Sequence, residues 1–498
     1  MGTETHTLLL NIVIFTPLVG VILIALLGAK QSKWVALLTT LIPLGITLQL
    51  FSLMGEATAE NHDYLGFASL SWFSQPDIDI KYIIGMDGTS GLMGLLTVIL
   101  FPLIVGYMWT RNLQQSKLFY MMLLLLQTGV LGFFFSLDLL VFYVFFELVL
   151  IPGSFLIGIW GDENRGKASL KFFIYTLVGS LVMLIAILYM GIHAATLKEG
   201  ITFTTDYFLI QEAIEGGKIP ELAGSAQAWL LAAFAISFAI KAPLFPFHTW
   251  QPSAYASSSI GGSVVLAGVL SKMGAYGFVR FCLPLFPEAV PDAAPLLATL
   301  AVIGIIYGAY MAVIQTDIKR LIAFSSLSHM GFIILGIFAM TEEALDGAIL
   351  QMFAHGVSTA AMFLLADMVE VRFGTRDIRD LGGIAALAPV FTTMFLISTM
   401  ASVGLPGLSG FVGEFLIMVG AFDSGILSPT LAIVAAVGVI LAAIYLLNMF
   451  RKVMFGPRPD GSTQTFPPLA ANEWSVMLPL LILMFWIGLY ATPFLEII

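Results

Sequence analysis

Long apolar runs recur along this chain from its first residues to its last. Each is about 18 residues or more, which is enough to cross the hydrocarbon core of a bilayer as a helix. A backbone in hydrocarbon must satisfy its own hydrogen bonds, so only helices and closed barrels can span it. The runs are continuous, whereas barrel strands alternate polar and apolar residues. Since 59% of the 498 residues are hydrophobic and only 10% are charged, the sequence predicts an all-α integral membrane protein without a soluble domain.

Hydropathy averaged over windows of about 19 residues predicts about fourteen transmembrane helices. Two longer segments, about 55–90 and 195–226, are predicted to lie outside the bilayer on one side, as short helices or strands. The predicted spans are 8–28, 33–54, 91–109, 118–136, 137–160, 171–194, 227–248, 258–281, 295–315, 320–341, 347–371, 386–419, 430–455 and 474–494.

The basic residues are distributed unequally between the two sides of this arrangement. Loops on one side carry 15 of the 21 lysines and arginines. Because basic loops stay in the cytoplasm or its organellar equivalent, both termini are predicted to lie on the outer side, with the bacterial inner membrane as the expected location. These residues are Lys30, Lys33, Arg111, Lys117, Arg165, Lys167, Lys171, Lys319, Arg320, Arg372, Arg376, Arg379, Arg451, Lys452 and Arg458.

The sequence offers no site for a redox cofactor. Cys282 is the single cysteine, whereas an iron–sulfur cluster needs several thiolates. Neither a dinucleotide-binding fingerprint after a predicted strand nor a Walker A motif occurs. We therefore expect no cofactor and no metal in this chain and, for a protein embedded in lipid, no nucleic-acid partner.

Two predicted spans are interrupted by helix-breaking residues. In span seven, Pro243 and Pro246 follow Lys241, and in span twelve a run of glycines around Pro406 leads to Glu414. Proline removes a backbone donor and displaces the preceding residue from helical geometry. Two such breaks, five spans apart, indicate an inverted repeat with polar groups at its core. The alternative is that these residues only serve helix packing.

The predicted domain division follows from these breaks. Residues 1–117 hold helices 1 to 3, and residues 118–281 form the first repeat, with helices 4 to 8. Residues 295–455 form the second, inverted repeat, with helices 9 to 13, and residues 456–498 hold the last helix.

Four ionisable side chains lie deep inside predicted spans, namely Glu147, Lys241, Lys272 and Glu414. Glu147 is about ten residues into span five, roughly 15 Å deep at about 1.5 Å per residue. A charge at this depth costs about 2.5 kcal/mol or more unless it is paired or hydrated, and so marks a functional site. Moving a carboxylate away from a buried lysine lowers the proton affinity of that lysine, so the four groups predict a proton path. The alternative is a set of static ion pairs that hold helices together.

Three histidines extend this line of titratable groups. His329 and His355 lie inside spans ten and eleven, and His248 ends span seven on the basic side. Histidine shuttles protons near neutral pH, although a membrane histidine also serves as a plain interhelical hydrogen-bond partner. Metal binding is disfavoured, because no two histidines have ligand spacing on a helix.

Five blocks of sequence resemble one family of membrane proteins. They occur in the same order as in the antiporter-like subunits of respiratory complex I, the proton-pumping NADH:quinone oxidoreductase, which they resemble. The resemblance covers essentially the whole chain. The blocks are RGKASLKFFIYTLVGS from Arg165, KAPLFPFHTW from Lys241, DIKRLIAFSSLSHMGF from Asp317, QMFAHGVSTAAMFLL from Gln351 and GLPGLSGFVGEFLI from Gly404.

The resemblance implies roles for the buried groups. The proton path of the family maps onto Glu147, Lys241, Lys272 and Glu414, and the three histidines would assist proton transfer. The sister types L and N carry lysine where Glu414 stands, so the M type, which corresponds to mitochondrial subunit 4, is favoured.

One segment departs from the family pattern. After Trp250 the family usually continues with leucine-proline-aspartate-alanine-histidine and a further acid, whereas residues 251–259 here read QPSAYASSS. This segment lies at the cytoplasmic entrance to Lys272. Hydroxyl groups and water are expected to replace the missing carboxylates and imidazole.

The function implied by the resemblance is proton translocation coupled to electron transfer from NADH to quinone in other subunits. FMN, iron–sulfur clusters and quinone would belong to those subunits, and the partners would be the other membrane subunits of complex I, especially L and N. The alternative is a subunit of a multisubunit cation/proton antiporter, which shares the fold and the buried residues. A third possibility is a passive membrane scaffold.

Overall fold

A computed structural model describes residues 3–54, 64–75, 77–457 and 465–498 of the chain. These residues form helices almost throughout, together with strands β1 (Leu65–Gln75), β2 (Ile78–Met86) and β3 (Phe203–Thr204). The helices are α1 (Thr3–Leu26), α2 (Ser32–Phe51), α3 (Gly88–Met108), α4 (Ser116–Phe135), α5 (Leu139–Leu148), α6 (Leu150–Gly158), α7 (Arg165–Ala194), α8 (Tyr207–Ile214), α9 (Ser225–Lys241), α10 (Gln251–Ser257), α11 (Ile260–Val265), α12 (Ser271–Gly277), α13 (Leu283–Leu285), α14 (Val290–Val313), α15 (Ile318–Phe338), α16 (Glu342–Phe373), α17 (Ile384–Leu387), α18 (Pro389–Val403), α19 (Ser409–Phe422), α20 (Pro429–Phe455), α21 (Ala471–Leu489) and α22 (Thr492–Leu495).

The predicted spans are all present in the described part of the chain. Twelve helical stretches there are long and apolar enough to cross a membrane. The other two predicted spans, seven and twelve, are the interrupted ones, and they consist of shorter apolar helices, α9 and the pair α18 and α19. Large apolar side chains such as Leu26, Trp229 and Leu489 are exposed, as expected where helices face lipid. By contrast, the apolar central stretches of α15 and α16 are completely buried.

The two long extramembrane segments meet in one three-stranded sheet. Strands β1 and β2 form an antiparallel hairpin, and β3 pairs in parallel with β2. Lys81 in β2 binds Asp206 at 2.8 Å, and Lys198 binds Asp79 at 2.7 Å. These ion pairs fasten the segment after α7 to the hairpin.

Both described ends of the chain lie on the side of the membrane that carries this sheet. The Thr7 hydroxyl donates to the carbonyl of Phe67 in β1 at 3.0 Å, and the carbonyl of Ile497 lies against Gly88 at the start of α3. An even number of spans requires this arrangement. We call this face the sheet side and the opposite face, where the predicted basic loops lie, the basic side. Of those basic residues, Arg458 lies outside the described residues.

Span five is interrupted, although the sequence predicts one continuous helix over 137–160. Helix α5 ends at Leu148, and α6 begins at Leu150. Pro152 explains the break, because it lacks the N–H that would bond to the carbonyl of Leu148. The interruption lies directly after Glu147.

Span eight departs from regular α-helix on both sides of Lys272. Residues Leu266–Leu270 and Phe278–Cys282 are π-helical, and α12 lies between them. A π-turn shifts backbone hydrogen bonds from the fourth to the fifth residue, and such turns often occur at functional sites. No proline marks these positions, so the sequence pattern does not predict them.

The helices that carry Lys241 and Lys272 pack closely at Gly274. A Cβ atom on Gly274 would lie 2.4 Å from the nitrogen of Ala242 and 2.5 Å from the carbonyl oxygen of Phe238. Both atoms are backbone, so neither can rotate away. Glycine is therefore required for the two lysine-bearing helices to approach each other.

We expect Gly274→Ala to destabilise the protein by about 1–3 kcal/mol, the usual range for overpacking. Gly45→Ala is the matched control, because a Cβ atom there meets no atom within 4 Å and alanine favours a helix over glycine. The midpoint of thermal unfolding of the purified protein measures both effects. Equal midpoints for the two variants would contradict the close packing.

Candidate functional site

Glu147 and Lys241 interact electrostatically between α5 and α9. They form no contact ion pair, and the Glu147 carboxylate also interacts with the Ser180 hydroxyl. The Nζ atom of Lys241 lies 4.6 Å from the centre of the Phe146 ring, a cation–π contact. The Lys241 ammonium is therefore held by an aromatic face and by a carboxylate at longer range.

The helix break after Lys241 is confirmed. Helix α9 ends at Lys241, and regular helix resumes only at Gln251. His248 lies in the intervening turns, where its ring centre is 5.4 Å from that of Phe245 and 4.9 Å from that of Tyr307. Its Nδ1 atom has no hydrogen-bond partner among the described residues. The structure thus places His248 apart from the other candidate groups.

Lys272 is fully buried, and its ammonium has three polar partners. The Nζ atom lies 2.5 Å from the carbonyl oxygen of Ala267, 3.2 Å from Oγ of Ser271 and 2.8 Å from Nδ1 of His355. The Ala267 carbonyl belongs to the first π-helical segment. Since an ammonium can only donate, Nδ1 of His355 accepts, and the hydrogen of the neutral imidazole lies on Nε2.

A second histidine joins His355 to Glu414. The ring centres of His355 and His329 are 5.6 Å apart, and Nδ1 of His329 lies 2.6 Å from Oε1 of Glu414. In the described part of the chain, Nε2 of each histidine is buried without a hydrogen-bond partner. Lys272, His355, His329 and Glu414 therefore form one line from span eight to the broken span twelve.

Gln351 is a member of this cluster that the sequence interpretation missed. Its Nε2 atom donates to Oε1 of Glu414 at 2.9 Å. Gln351 lies four residues before His355 in α16, and this spacing places both side chains on the same helix face. This spacing from His355 could have indicated that Gln351 belongs to the cluster. It does not predict that the Gln351 amide binds Glu414.

The four buried ionisable groups form no lysine–carboxylate contact pair. Glu147 and Lys241 interact only at longer range, the partners of Lys272 are those named above, and Glu414 binds His329 and Gln351. Static ion pairs of the kind considered from the sequence need such contacts. Imidazoles instead lie between Lys272 and Glu414.

Arg376 ties the two predicted repeats together on the basic side. Its guanidinium binds Asp162 at 2.8 Å and the carbonyl of Ala256 at 3.2 Å, both in the first repeat. It also pairs with Asp317 and lies 4.0 Å from Glu370, both in the second repeat. Two polar cavities, of about 790 Å³ and about 460 Å³, meet at Arg376 and Asp162.

The Asp162 carboxyl titrates abnormally in this cluster. Burial raises the pKa of Asp162, but the hydrogen bonds from Arg376, Asn164 and Ser257 and the positive charge of Arg376 together outweigh burial, so that this pKa lies below its usual value. Because the pKa of Asp162 is lower in the folded than in the unfolded protein, the charged carboxylate stabilises the fold at every pH above the unfolded-state pKa. This stabilisation is lost as the pH falls through the pKa of the folded state.

We expect Arg376→Met to lower the thermal midpoint of the protein at about pH 7 and to lower it less at about pH 4, because protonation removes the unpaired charge of Asp162. Arg379→Met is the matched control, since Arg379 is exposed and pairs only with nearby Asp377. Unfolding curves recorded at several pH values measure the effect. A loss that is the same at every pH would contradict the role of the Asp162 charge.

The described residues contain no group of three or more histidine, cysteine, aspartate or glutamate side chains that could hold a metal ion. The donor atoms of the central line are one amine, two imidazoles and one carboxylate, spread along the membrane plane. This arrangement suits stepwise proton transfer and not metal coordination.

Comparisons with known proteins agree with this geometry. The family described as "NADH:quinone oxidoreductase/Mrp antiporter, TM" matches residues 136–444. NADH-quinone oxidoreductase subunit M of Rhodobacter capsulatus is 37% identical over 98% of this chain and 94% of its own length.

Among solved structures, a chain of respiratory complex I from Thermus thermophilus with bound NADH superposes with a TM-score of 0.83 at 33% identity, covering 97% of this chain and 98% of that one. A chain of the Mrp complex from Dietzia sp. has a TM-score of 0.79 at 21% identity, covering 99% and 96%. The second likeness is one of fold alone.

Proposed function

Because the chain belongs to the family of NADH:quinone oxidoreductase and Mrp antiporter membrane subunits, we propose that it carries protons through the bilayer along its buried line of ionisable side chains. It is a membrane subunit of NADH-quinone oxidoreductase, complex I, of the M type that the sequence favours. The complex to which it belongs is an oxidoreductase, and its partners include other membrane subunits of that complex.

The observation that carries the proposal is the line from Lys272 to Glu414. Contacts of 2.8 Å and 2.6 Å bind its two ends to imidazoles, and the two imidazole centres are 5.6 Å apart. Each imidazole can take a proton on one nitrogen and release another from the opposite nitrogen. Because Nε2 of both imidazoles has no partner among the described residues, a proton advances along the line when water or a rotation of one ring joins these two nitrogens.

The first step concerns Glu147 and Lys241. While the Glu147 carboxylate is near, it favours the ammonium form of Lys241. Movement of Glu147 away from Lys241 weakens this attraction, and burial then favours the neutral amine. The break in span five, at Val149, interrupts the helix two residues after Glu147. Lys241 thus gains or loses a proton as its partner moves.

The later steps run from Lys272 to the second repeat. Lys272 passes a proton to Nδ1 of His355, which releases the proton on Nε2 toward His329. His329 delivers a proton to Glu414, the group we assign to the exit. The neutral Lys272 amine then takes up a new proton from the basic side. His248, away from this line, would assist uptake on the basic side through water.

Orientation, location and partner chemistry complete the proposal. The basic side faces the cytoplasm and the sheet side with both termini faces outward, as the loop charges predict. The membrane is the bacterial inner membrane, and types L and N are the neighbouring subunits. FMN, iron–sulfur clusters and quinone act in partner subunits, and their electron transfer drives the movement of Glu147.

The antiporter alternative has weaker support. Its known structure shares the fold at 21% identity, whereas the oxidoreductase relative is 37% identical along the whole chain. Purification separates the two possibilities, because copurification with flavin and iron–sulfur polypeptides favours the oxidoreductase. Sodium-sensitive growth of a deletion strain with normal NADH oxidation would favour the antiporter.

We expect Lys241→Met and Glu147→Gln each to abolish or sharply reduce NADH-driven proton pumping in the assembled complex, since each removes one charge of the switching pair. Lys198→Met is the control, because it removes a lysine of the sheet side. Pumping is measured in proteoliposomes from the quenching of a pH-sensitive dye during NADH oxidation. Wild-type pumping by both variants would contradict the assignment.

Lys272→Met tests the line itself against a passive scaffold. Methionine keeps the length and apolar stem of lysine, so the packing is largely kept while the transferable proton is lost. We expect assembly to persist and pumping to fall. Intact turnover and pumping in an assembled Lys272→Met complex would favour the scaffold.

A further inference from the structure

We infer that Tyr255 and Ser271 form a hydroxyl pathway through which protons reach Lys272 from the basic side. The inference rests on the proposed function and adds the uptake route to it. Between Gln251 and Leu270 the chain contains no carboxylate, imidazole, lysine or arginine. Any proton that crosses this stretch along the chain's own side chains must use hydroxyl or amide groups.

The outer end of the route is the wall of the two polar cavities on the basic side. The larger cavity reaches Ser258 and Ser259, and the smaller one reaches Ser253 and Ser257. Arg376 and the backbone N–H of Asp162 bind the last carbonyls of α10, which fixes this end of the half-helix. The cavities therefore bring solvent to the serine-rich end of residues 251–259, the segment that differs from the family pattern.

Tyr255 bridges the depth between this wall and Lys272. Its backbone carbonyl accepts from the Ser263 hydroxyl at 2.7 Å, and Ser263 Oγ also lies 3.2 Å from the carbonyl of Ser259. The Tyr255 hydroxyl, at the other end of the side chain, donates to the carbonyl of Leu266 at 2.9 Å. The side chain is fully buried, so its hydroxyl lies inside the protein beside the first π-helical segment.

Ser271 joins the tyrosine hydroxyl to the lysine. The Tyr255 hydroxyl binds the carbonyl of Leu266, and the Ser271 hydroxyl binds the carbonyl of the next residue, Ala267, so the two hydroxyls lie on adjacent carbonyls of the π-helical segment. Ser271 Oγ donates to the Ala267 carbonyl at 3.0 Å and lies 3.2 Å from Nζ of Lys272. Tyr255, Ser271 and Lys272 are thus consecutive polar groups, and the π-helical carbonyls hold them in place.

The chemistry balances without a charged tyrosine. A hydroxyl both donates and accepts. Once the two hydroxyls rotate away from the carbonyls of Leu266 and Ala267, a proton that water delivers from the cavity along the side of the ring can bind the Tyr255 oxygen while the original hydroxyl proton passes to Ser271. The Ser271 hydroxyl proton in turn passes to the neutral Lys272 amine, which becomes the ammonium. Rotation of the two hydroxyls then restores the starting arrangement. One proton enters from the cavity, and one arrives on Nζ.

The competing explanation is that the Tyr255 hydroxyl only satisfies a carbonyl that the π-turn leaves free. Tyr276 provides a matched control, because it is equally buried and its hydroxyl donates to the carbonyl of Phe134 at 2.8 Å. It lies one turn beyond Lys272 toward the sheet side. A purely structural hydroxyl should behave alike at both positions, whereas an uptake pathway needs only the one on the basic side.

The test compares Tyr255→Phe, Ser271→Ala and Tyr276→Phe in the assembled complex reconstituted into proteoliposomes. We expect the first two to lower NADH-driven pumping by about tenfold, less than the roughly 10²–10⁴-fold typical of a positioned proton-transfer group, because water can partly substitute. We also expect them to increase the ratio of pumping rates in H₂O and D₂O, since proton uptake becomes limiting. Tyr276→Phe should retain both wild-type values.

Each other outcome overturns the inference. Wild-type pumping by Tyr255→Phe and Ser271→Ala, alongside loss in Lys272→Met, would refute the hydroxyl pathway while leaving the proposed function intact. Equal losses in Tyr255→Phe and Tyr276→Phe without a change in the isotope ratio would assign the hydroxyls a structural role. If Tyr255→Phe fails to assemble, Ser271→Ala alone decides by the same two measurements.

Discussion

The structure depends on the solvation of charge inside hydrocarbon, and Lys272 shows this most directly. Its ammonium is completely buried, so every hydrogen that water would have bound must be bound by the protein. A carbonyl, a hydroxyl and an imidazole take these places. The carbonyl belongs to a π-helical turn, so the irregular backbone is the means by which the charge is tolerated.

The same relation between charge and helix irregularity holds at the other buried groups. Glu147 lies just before the break between α5 and α6, and Lys241 is the last residue of α9. Glu414 lies in the second turn of α19, directly after the interruption in span twelve. A broken helix leaves backbone groups free to bind polar partners. Each charge is thus placed where the backbone is least regular.

These arrangements favour exchange of protons over fixed ion pairing. A lysine in contact with a carboxylate would be held in its charged form, but in the described part of the chain neither Lys241 nor Lys272 has such a contact. Lys272 and Glu414 are each bound to an imidazole, a group that can accept a proton on one nitrogen and donate one from the other. The central helices α15 and α16 supply these imidazoles, and their apolar central stretches are completely buried.

The sequence by itself determined the class of fold, the number of spans, the two proline- and glycine-rich breaks and three of the buried ionisable residues, Lys241, Lys272 and Glu414. Hydropathy, proline chemistry and the cost of burying charge are local properties, so they can be read from the residues in order. Only the tertiary structure decided that His355 and His329 join Lys272 to Glu414, that His248 lies apart, and that Gln351, Ser271 and Tyr255 belong to the cluster. It also revealed the break after Glu147 and the π-helical turns around Lys272. These features depend on which helix faces pack together and on how the backbone adjusts to that packing, and no local pattern encodes either.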